Sequence, residues 1–226
     1  MLRAVTTAPG AASAIGEPQQ ARSRATRRRL LAAAIECLVE DGYAATTTAA
    51  VCQRARVSQG ALFKHFPSKA ALIVAAAAHL FAELIEEFRA AFREIEGHED
   101  PSAAAVRLLD RSFRQPRLHA AFELYLVSRH DAELRAALDP VVRDHRERLR
   151  EEARRLFPHA AATNPEFDAF VDVVVSTMQG RALGGLVAPD ARADVRELVT
   201  LYRLVRRELG GAPGARADAH ARSEKP

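Results

Sequence analysis

Long apolar runs are missing from this 226-residue chain. No stretch reaches the roughly 18 apolar residues that a bilayer-spanning helix needs, so no membrane partner is expected. Cysteine is nearly absent as well: Cys37 and Cys52 are the only two, too few for a disulfide scaffold and not at zinc-ligand spacing, so they read as small core residues. Nowhere do β-branched residues alternate with polar ones between hairpin turns, which argues against a sheet. The sequence also lacks Gly-x-Ser-x-Gly, a phosphate-binding glycine loop and His-Glu-x-x-His. His119, His130 and His145, with Asp131 and Asp144, do not share one helix face at metal-ligand spacing. An enzyme is therefore not expected, and neither is a cofactor or a metal. Met1 to Gln20 has a lone Arg3 and scattered Pro, Gly and Ser instead of the charged-then-apolar layout of a secretory signal, and reads as an arm on a cytoplasmic protein.

What is present is an uneven charge distribution. Residues 1–69 carry ten basic side chains (Arg3, Arg22, Arg24, Arg27, Arg28, Arg29, Arg54, Arg56, Lys64 and Lys69) against four acidic ones (Glu17, Glu36, Glu40 and Asp41). That is a net +6 within a chain whose total is +4, leaving −2 for the rest. A basic N-terminal domain on a neutral or acidic body fits a polyanion partner. Lysine itself is scarce, with Lys64, Lys69 and Lys225 the only three.

Helical periodicity runs from Thr26 onward, so the fold is expected to be all-α. Leu30, Leu31, Ala34, Ile35 and Leu38 form one apolar stripe, and Gly42 offers a stop for a first helix over Thr26 to Asp41. Thr46 or Thr47 can cap a short second helix to about Ala55, Ser58 a third to about His65, and Ser68 a long fourth. Further helices are expected near Ser102–Arg114, Arg117–Ser128, Asp131–Leu156, Pro165–Val187 and Ala191–Leu209, with Pro140 kinking or splitting the third of these. The division that follows is a flexible basic arm at 1–24, a helix-turn-helix domain at 25–69, a helical regulatory domain at 70–209 and a disordered tail at 210–226.

Residues 42–69 carry the functional signal. Two short helices joined by a tight turn can present the second member to a major groove. Val51, Val57, Leu62 and Phe66 supply a small core, and Gln59, Lys64, His65 and Lys69 remain as polar groups suited to phosphate and base edges. Arg22, Arg24 and Arg27 could follow a minor groove. Gly42-Tyr43, Thr46-Thr47, Ala50, Val57-Ser58, Gly60, Leu62-Phe63 and His65-Phe66-x-x-Lys69, preceded by Leu30-Leu31-x-Ala33-Ala34, resemble the signature of the TetR/AcrR family of transcription regulators. The resemblance implies a DNA-binding repressor that grips a palindromic double-stranded operator as a homodimer and is released by a small molecule. It implies that Ser58 caps the recognition helix and that Gln59 faces base edges close to Gly60. Lys64, His65 and Lys69 would hold phosphate, with Thr47 and Thr48 adding contacts from the second helix. Ala61 stands where many relatives have a small hydroxyl residue, and Phe63 replaces the more usual tyrosine. Arg56 departs from the family's common glycine in the turn; it either takes up a positive φ at a cost of about 1 kcal/mol or marks a slightly different turn.

In the C-terminal half, Ser176, Gly180 and Gly184 lie four apart and form a smooth ridge on a helix. The resemblance implies that the last two helices pair with those of a second subunit, through this ridge and Leu198, Leu201, Tyr202 and Val205. Phe81, Phe88, Phe113, Phe122, Tyr125, Phe170 and Met178 are candidates to line a pocket for an apolar or amphipathic ligand, with His119 and Arg181 as polar anchors.

Overall fold

The computed structural model describes residues 16–93 and 100–209. Among them ten helices and no strand occur. Chain packing divides the protein into two units, one ending at Ala76 and the other beginning at Ala77. The remainder of the expected arm and the expected tail at 210–226 lie outside the described residues.

The first unit holds α1 (Gly16–Ala45), α2 (Thr48–Ala55), α3 (Gln59–His65) and the beginning of α4 (Lys69–Arg93). Helix α1 starts at Gly16 and not at Thr26, so Arg22 and Arg24 belong to a helix where an irregular arm was expected. The residues after Pro18 are Gln, Ala, Arg and Ser with no breaker, and a proline in the first turn is harmless because its missing N–H has no helical partner anyway. Leu30, Ala34 and Leu38 of α1 are buried with Val51 and Ala55 of α2, Leu62 of α3 and Leu72 and Ile73 of α4. Gly42 takes φ 74 and ψ 174, a conformation that a side chain would resist, and the chain turns there.

In the second unit, α4 continues to Arg93, followed by α5 (Pro101–Phe113), α6 (Pro116–Ser128), α7 (Ala132–Leu156), α8 (Pro158–Thr163), α9 (Phe167–Val187) and α10 (Ala191–Glu208). Asp100, Asp131 and Asp190 cap α5, α7 and α10 by accepting from backbone amides of the first turn. Pro140 does not split α7, which runs through it. The helix is held on both sides of that position: Leu134 and Leu138 are buried before it, and Arg150 and Arg154 bond to Asp172 and Asp168 of α9 after it. Such tertiary anchoring can outweigh one lost backbone hydrogen bond. The short α8 was not foreseen, since Pro158 opens a helix of only six residues. Helix α9 packs on α5, α7, α8 and α10, and α5 also meets α6 and α10.

Candidate functional site

Side chains set the helix starts around the α2–α3 turn. Thr47 precedes α2 and its hydroxyl accepts from Ala50 N at 3.1 Å, while the preceding Thr46 is buried and its Oγ1 donates to Gly42 O at 2.7 Å. The two adjacent threonines thus divide capping and turn closure between them. Ser58 caps α3 by accepting from Ala61 N at 3.2 Å, and Ser68 caps α4 by accepting from Ala71 N at 3.1 Å. Between α2 and α3, Arg56 sits at φ 52 and ψ 49, the left-handed C-cap conformation usually given to glycine. The positive-φ alternative is the one realised. Arg29 of α1 donates to the carbonyls of Ala55 and Arg56, so the exposed end of α2 is closed by a cation.

These caps fix the orientation of α3. Leu62 and Phe66 point inward and are buried, while Gln59, Gly60, Phe63 and Lys64 lie outward at spacings of one, four and five, which is one helix face. Phe63 is 49% exposed and stacks on no other ring among the described residues. A Cβ added to Gly60 would meet nothing within 4 Å, so no internal contact requires glycine there. Thr47 and Ser58 are exposed, and Thr48, Ala61 and His65 are partly buried.

The basic side chains divide into committed and free groups. Arg54 is held by Glu40 at 2.7 Å, with Glu36 and Asp41 just under 4 Å away. Lys69 donates to Tyr43 O at 3.0 Å, lies 4.3 Å from the centroid of the Tyr43 ring, and burial pulls its pKa down. The ammonium expected to face phosphate is thus anchored on the α1–α2 turn. The Arg27 guanidinium lies 5.3 Å from the centroid of Phe66. Lys64 and Arg24 are exposed, with no ion pair among the described residues.

Residues 30–76, which span this helix-turn-helix, match the sequence profile described as "Bacterial regulatory proteins, tetR family". Over 187 residues the chain is 27% identical to an uncharacterized HTH-type transcriptional regulator of Mycobacterium tuberculosis, an alignment covering 83% of this chain and 96% of the relative. Among solved structures it is similar to the multidrug binding protein EbrR complexed with imidazole, with TM-score 0.60, 25% identity, and 84% and 97% of the two chains covered. It is also similar to a transcriptional regulator from Rhodococcus sp. Rha1, with TM-score 0.60, 20% identity, and coverage of 80% and 96%. The helix-turn-helix at residues 30–76 is that of the TetR family. The chain is a transcriptional regulator with a DNA-binding helix-turn-helix, not an enzyme.

In the second unit, the aromatic residues expected to line one pocket are divided between two. Phe81, Phe113, Phe122 and Tyr125 line one chamber, together with Leu118, His145, Arg146, Leu149, Asp172, Val175, Ser176 and Gln179. Phe88 and Phe170 line another, wholly apolar cavity with Phe92, Leu156, Phe157 and Val174. Met178 is 1% exposed, and neither it nor His119 lines these two cavities. Arg181 lines neither of them. Its side chain is buried and donates to Asp194 Oδ1 at 2.6 Å, Glu197 at 2.8 Å and Asp110 at 3.4 Å.

His145 is a polar residue of the chamber that its spacing in the sequence marks only as an unsuitable metal ligand. Its ring stacks on Phe81 with centroids 4.2 Å apart, and its Nδ1 is buried with no hydrogen-bond partner. Burial pushes its pKa down to about 4 against the opposing pull of Asp144, so the imidazole is neutral.

The ridge residues Ser176, Gly180 and Gly184 are exposed on α9, and Val173, Thr177 and Val187 continue the same outward stripe. Leu201 and Val205 are instead buried within the chain itself, and Tyr202 donates to Asp100. Helix α10 turns Leu201 and Val205 inward and leaves Val195, Val199 and Leu204 outside. Leu198 is half-buried.

Proposed function

We propose that this protein is a cytoplasmic repressor that binds a palindromic operator as a homodimer and lets go when a small molecule enters the second unit. The outward face of α3 carries the DNA part of the reading. Gln59 can reach base edges, Phe63 offers a ring to a thymine methyl, and Lys64 supplies charge for phosphate. The missing side chain of Gly60 leaves room for the DNA backbone to come close. Arg24 and Arg27 on α1 are the further candidates for backbone or minor-groove contact, with Thr47, Thr48, Ala61 and His65 flanking α3. Lys69 acts first through Tyr43, by holding the turn that orients α2, and has donors left over for phosphate.

The dimer is supported by the exposed stripe Val173, Thr177, Gly180, Gly184 and Val187 on α9, with Val195, Val199 and Leu204 on α10. An apolar face of this length, with glycines in it, is the kind of surface that a second helix pair covers. Two recognition helices must sit about 34 to 36 Å apart to reach successive grooves, so a ligand that tilts α4 by a few Å would misplace one of them. The binding of imidazole by the relative EbrR supports a small-molecule effector. A gel shift with the protein's own promoter region tests the reading: a specific shift is expected, and Gln59→Ala combined with Lys64→Ala should abolish it. Failure to shift any promoter fragment at micromolar protein overturns it.

A further inference from the structure

The chamber between α4, α5, α6, α7 and α9 has two unlike walls. One is flat and apolar: the rings of Phe81, Phe113 and Phe122 with Leu118 and Val175. Phe113 and Phe122 lie nearly parallel, with centroids 6.0 Å apart. The other wall is polar, and four of its groups are not used by the fold. Among the described residues the Tyr125 hydroxyl, the Arg146 guanidinium and the Gln179 amide make no hydrogen bond or ion pair, and His145 Nδ1 is buried without a partner.

The charge of that wall is set by what is already neutralised. Asp172 lines the chamber, but both its oxygens are taken by Arg150, at 3.1 and 2.5 Å. Asp144, beside His145, is taken by Arg148 at 2.8 Å. On α7 the neighbouring arginines are paired as well, Arg143 with Asp139, Arg154 with Asp168 and Arg155 with Glu152. Arg146 is without a carboxylate, and it is the arginine of this helix that lines the chamber. Its charge acts on both Tyr125 and His145, so the three groups share one end of the space. Arg offers donors only, and Tyr and Gln offer donors beside their acceptor atoms. A purely apolar guest would leave the buried His145 Nδ1 without a partner, and a cation would be repelled by the unpaired guanidinium. The chamber is partly open to solvent, and the space between its walls, about 60 Å³, admits a small flat guest.

We propose that this chamber takes a small planar aromatic acid, its ring against Phe81, Phe113 and Phe122 and its carboxylate on Arg146, with Tyr125 and His145 beside it. This rests on the small-molecule reading of the second unit and goes beyond it by naming a chemical class. The second cavity, lined by Phe88, Phe92 and Phe170, has no polar wall and suits an alkyl chain instead.

Isothermal titration of the full-length protein with 2-naphthoate, 2-naphthamide and decanoate tests the inference. The expected result is that naphthoate binds one per chain and about tenfold more tightly than the amide, because a charge-assisted pair is roughly twice as strong as a neutral one. Arg146→Gln should bring naphthoate down to the affinity of the amide and leave the amide unchanged. Arg143→Gln, on the same helix but outside the chamber, should change neither. Arg146 is exposed, so its replacement leaves the fold intact, and circular dichroism verifies that. Equal affinities for acid and amide, an equal loss in both arginine variants, or decanoate binding more tightly than naphthoate would each overturn the assignment. Anisotropy with the operator separates the two levels. Arg146-dependent naphthoate binding that leaves DNA bound upholds the site and refutes release by it. Release by other compounds, with naphthoate not binding, upholds the regulator and refutes the site.

Discussion

The guanidinium of Arg29 donates to the carbonyl oxygen of Arg56 at 2.9 Å, and Arg56 is the non-glycine residue held at positive φ among the described residues. A left-handed conformation costs a side-chain-bearing residue about 1 kcal/mol. A cation on the last carbonyls of α2 returns a similar amount through hydrogen bonds and the helix dipole. Arg56→Gly should therefore stabilise the first unit by roughly 0.5 to 1 kcal/mol, and Arg29→Ala should destabilise it by about 1 kcal/mol. Hydrogen exchange of the α2 and α3 amides reads both. Slower exchange in Arg29→Ala would refute the account.

Base reading and charge should separate on α3. Gln59→Ala is expected to cost about 1 to 3 kcal/mol per half-site on the preferred operator with little change in the salt slope. Lys64→Ala should weaken all sequences alike and flatten the slope by about one for each phosphate left without its cation, so about two for a dimer. Lys69→Ala differs from both, because it also frees Tyr43 and should lower the stability of the first unit. Anisotropy on operator and scrambled duplexes at several salt concentrations, beside a urea melt, distinguishes the three variants.

Gly180→Leu discriminates between packing within a subunit and packing across two. A Cβ at Gly180 meets nothing within 4 Å in its own chain, so the subunit has space for it. The substitution should even favour α9 by about 1 kcal/mol through helix propensity. In a dimer paired through this stripe the same side chain meets the partner. Sedimentation equilibrium should reveal weaker association with unchanged helicity, and a variant that dimerises as tightly as the wild type places the interface elsewhere.

Acid should loosen the second unit through His145. Its folded-state pKa of about 4 lies below the ordinary value of 6.5, so between those values the unfolded chain binds the proton that the folded one refuses. Stability from this group is complete above about pH 6.5 and is lost as pH falls toward 4, by roughly 2 kcal/mol at pH 5. Urea melts from about pH 7.5 to about pH 4.5 should steepen accordingly for the wild type and flatten for His145→Gln. An identical pH dependence in both would assign the acid sensitivity to other groups.

Much of the fold was legible because helix starts are written locally. Ser58, Ser68 and Asp131 each announce a helix by a side chain that accepts from the first turn, and the period of Leu30, Leu31, Ala34 and Leu38 gives the buried face of α1. The TetR resemblance was likewise legible, since its marks fall within one short stretch. The pairing of polar groups was not. Arg181 looked like a free anchor beside aromatic residues, but its partners Asp110 and Asp194 lie on other helices, 71 and 13 residues away. Leu201 and Val205 looked suited to an interface, but their side of α10 faces the subunit's own core. Pro140 signals a break only when nothing else holds the helix, and α7 is held by ion pairs that no local pattern reveals.

The network around Arg181 has a mechanical consequence. Arg181 of α9 and Arg114, at the C-cap of α5, together grip Asp110 of α5 and Asp194 of α10, and Glu197 adds a further acceptor. Two cations shared among three carboxylates, with Arg181 buried, make a joint that cannot slip by one partner at a time, because each step would strand a charge. Helices α5, α9 and α10 are thereby braced into a stiff frame. Across the chamber from this frame, the side chains of Tyr125 on α6 and of His145 and Arg146 on α7 make no hydrogen bond among the described residues. Strain brought by a guest would meet α5, α9 and α10 as a stator.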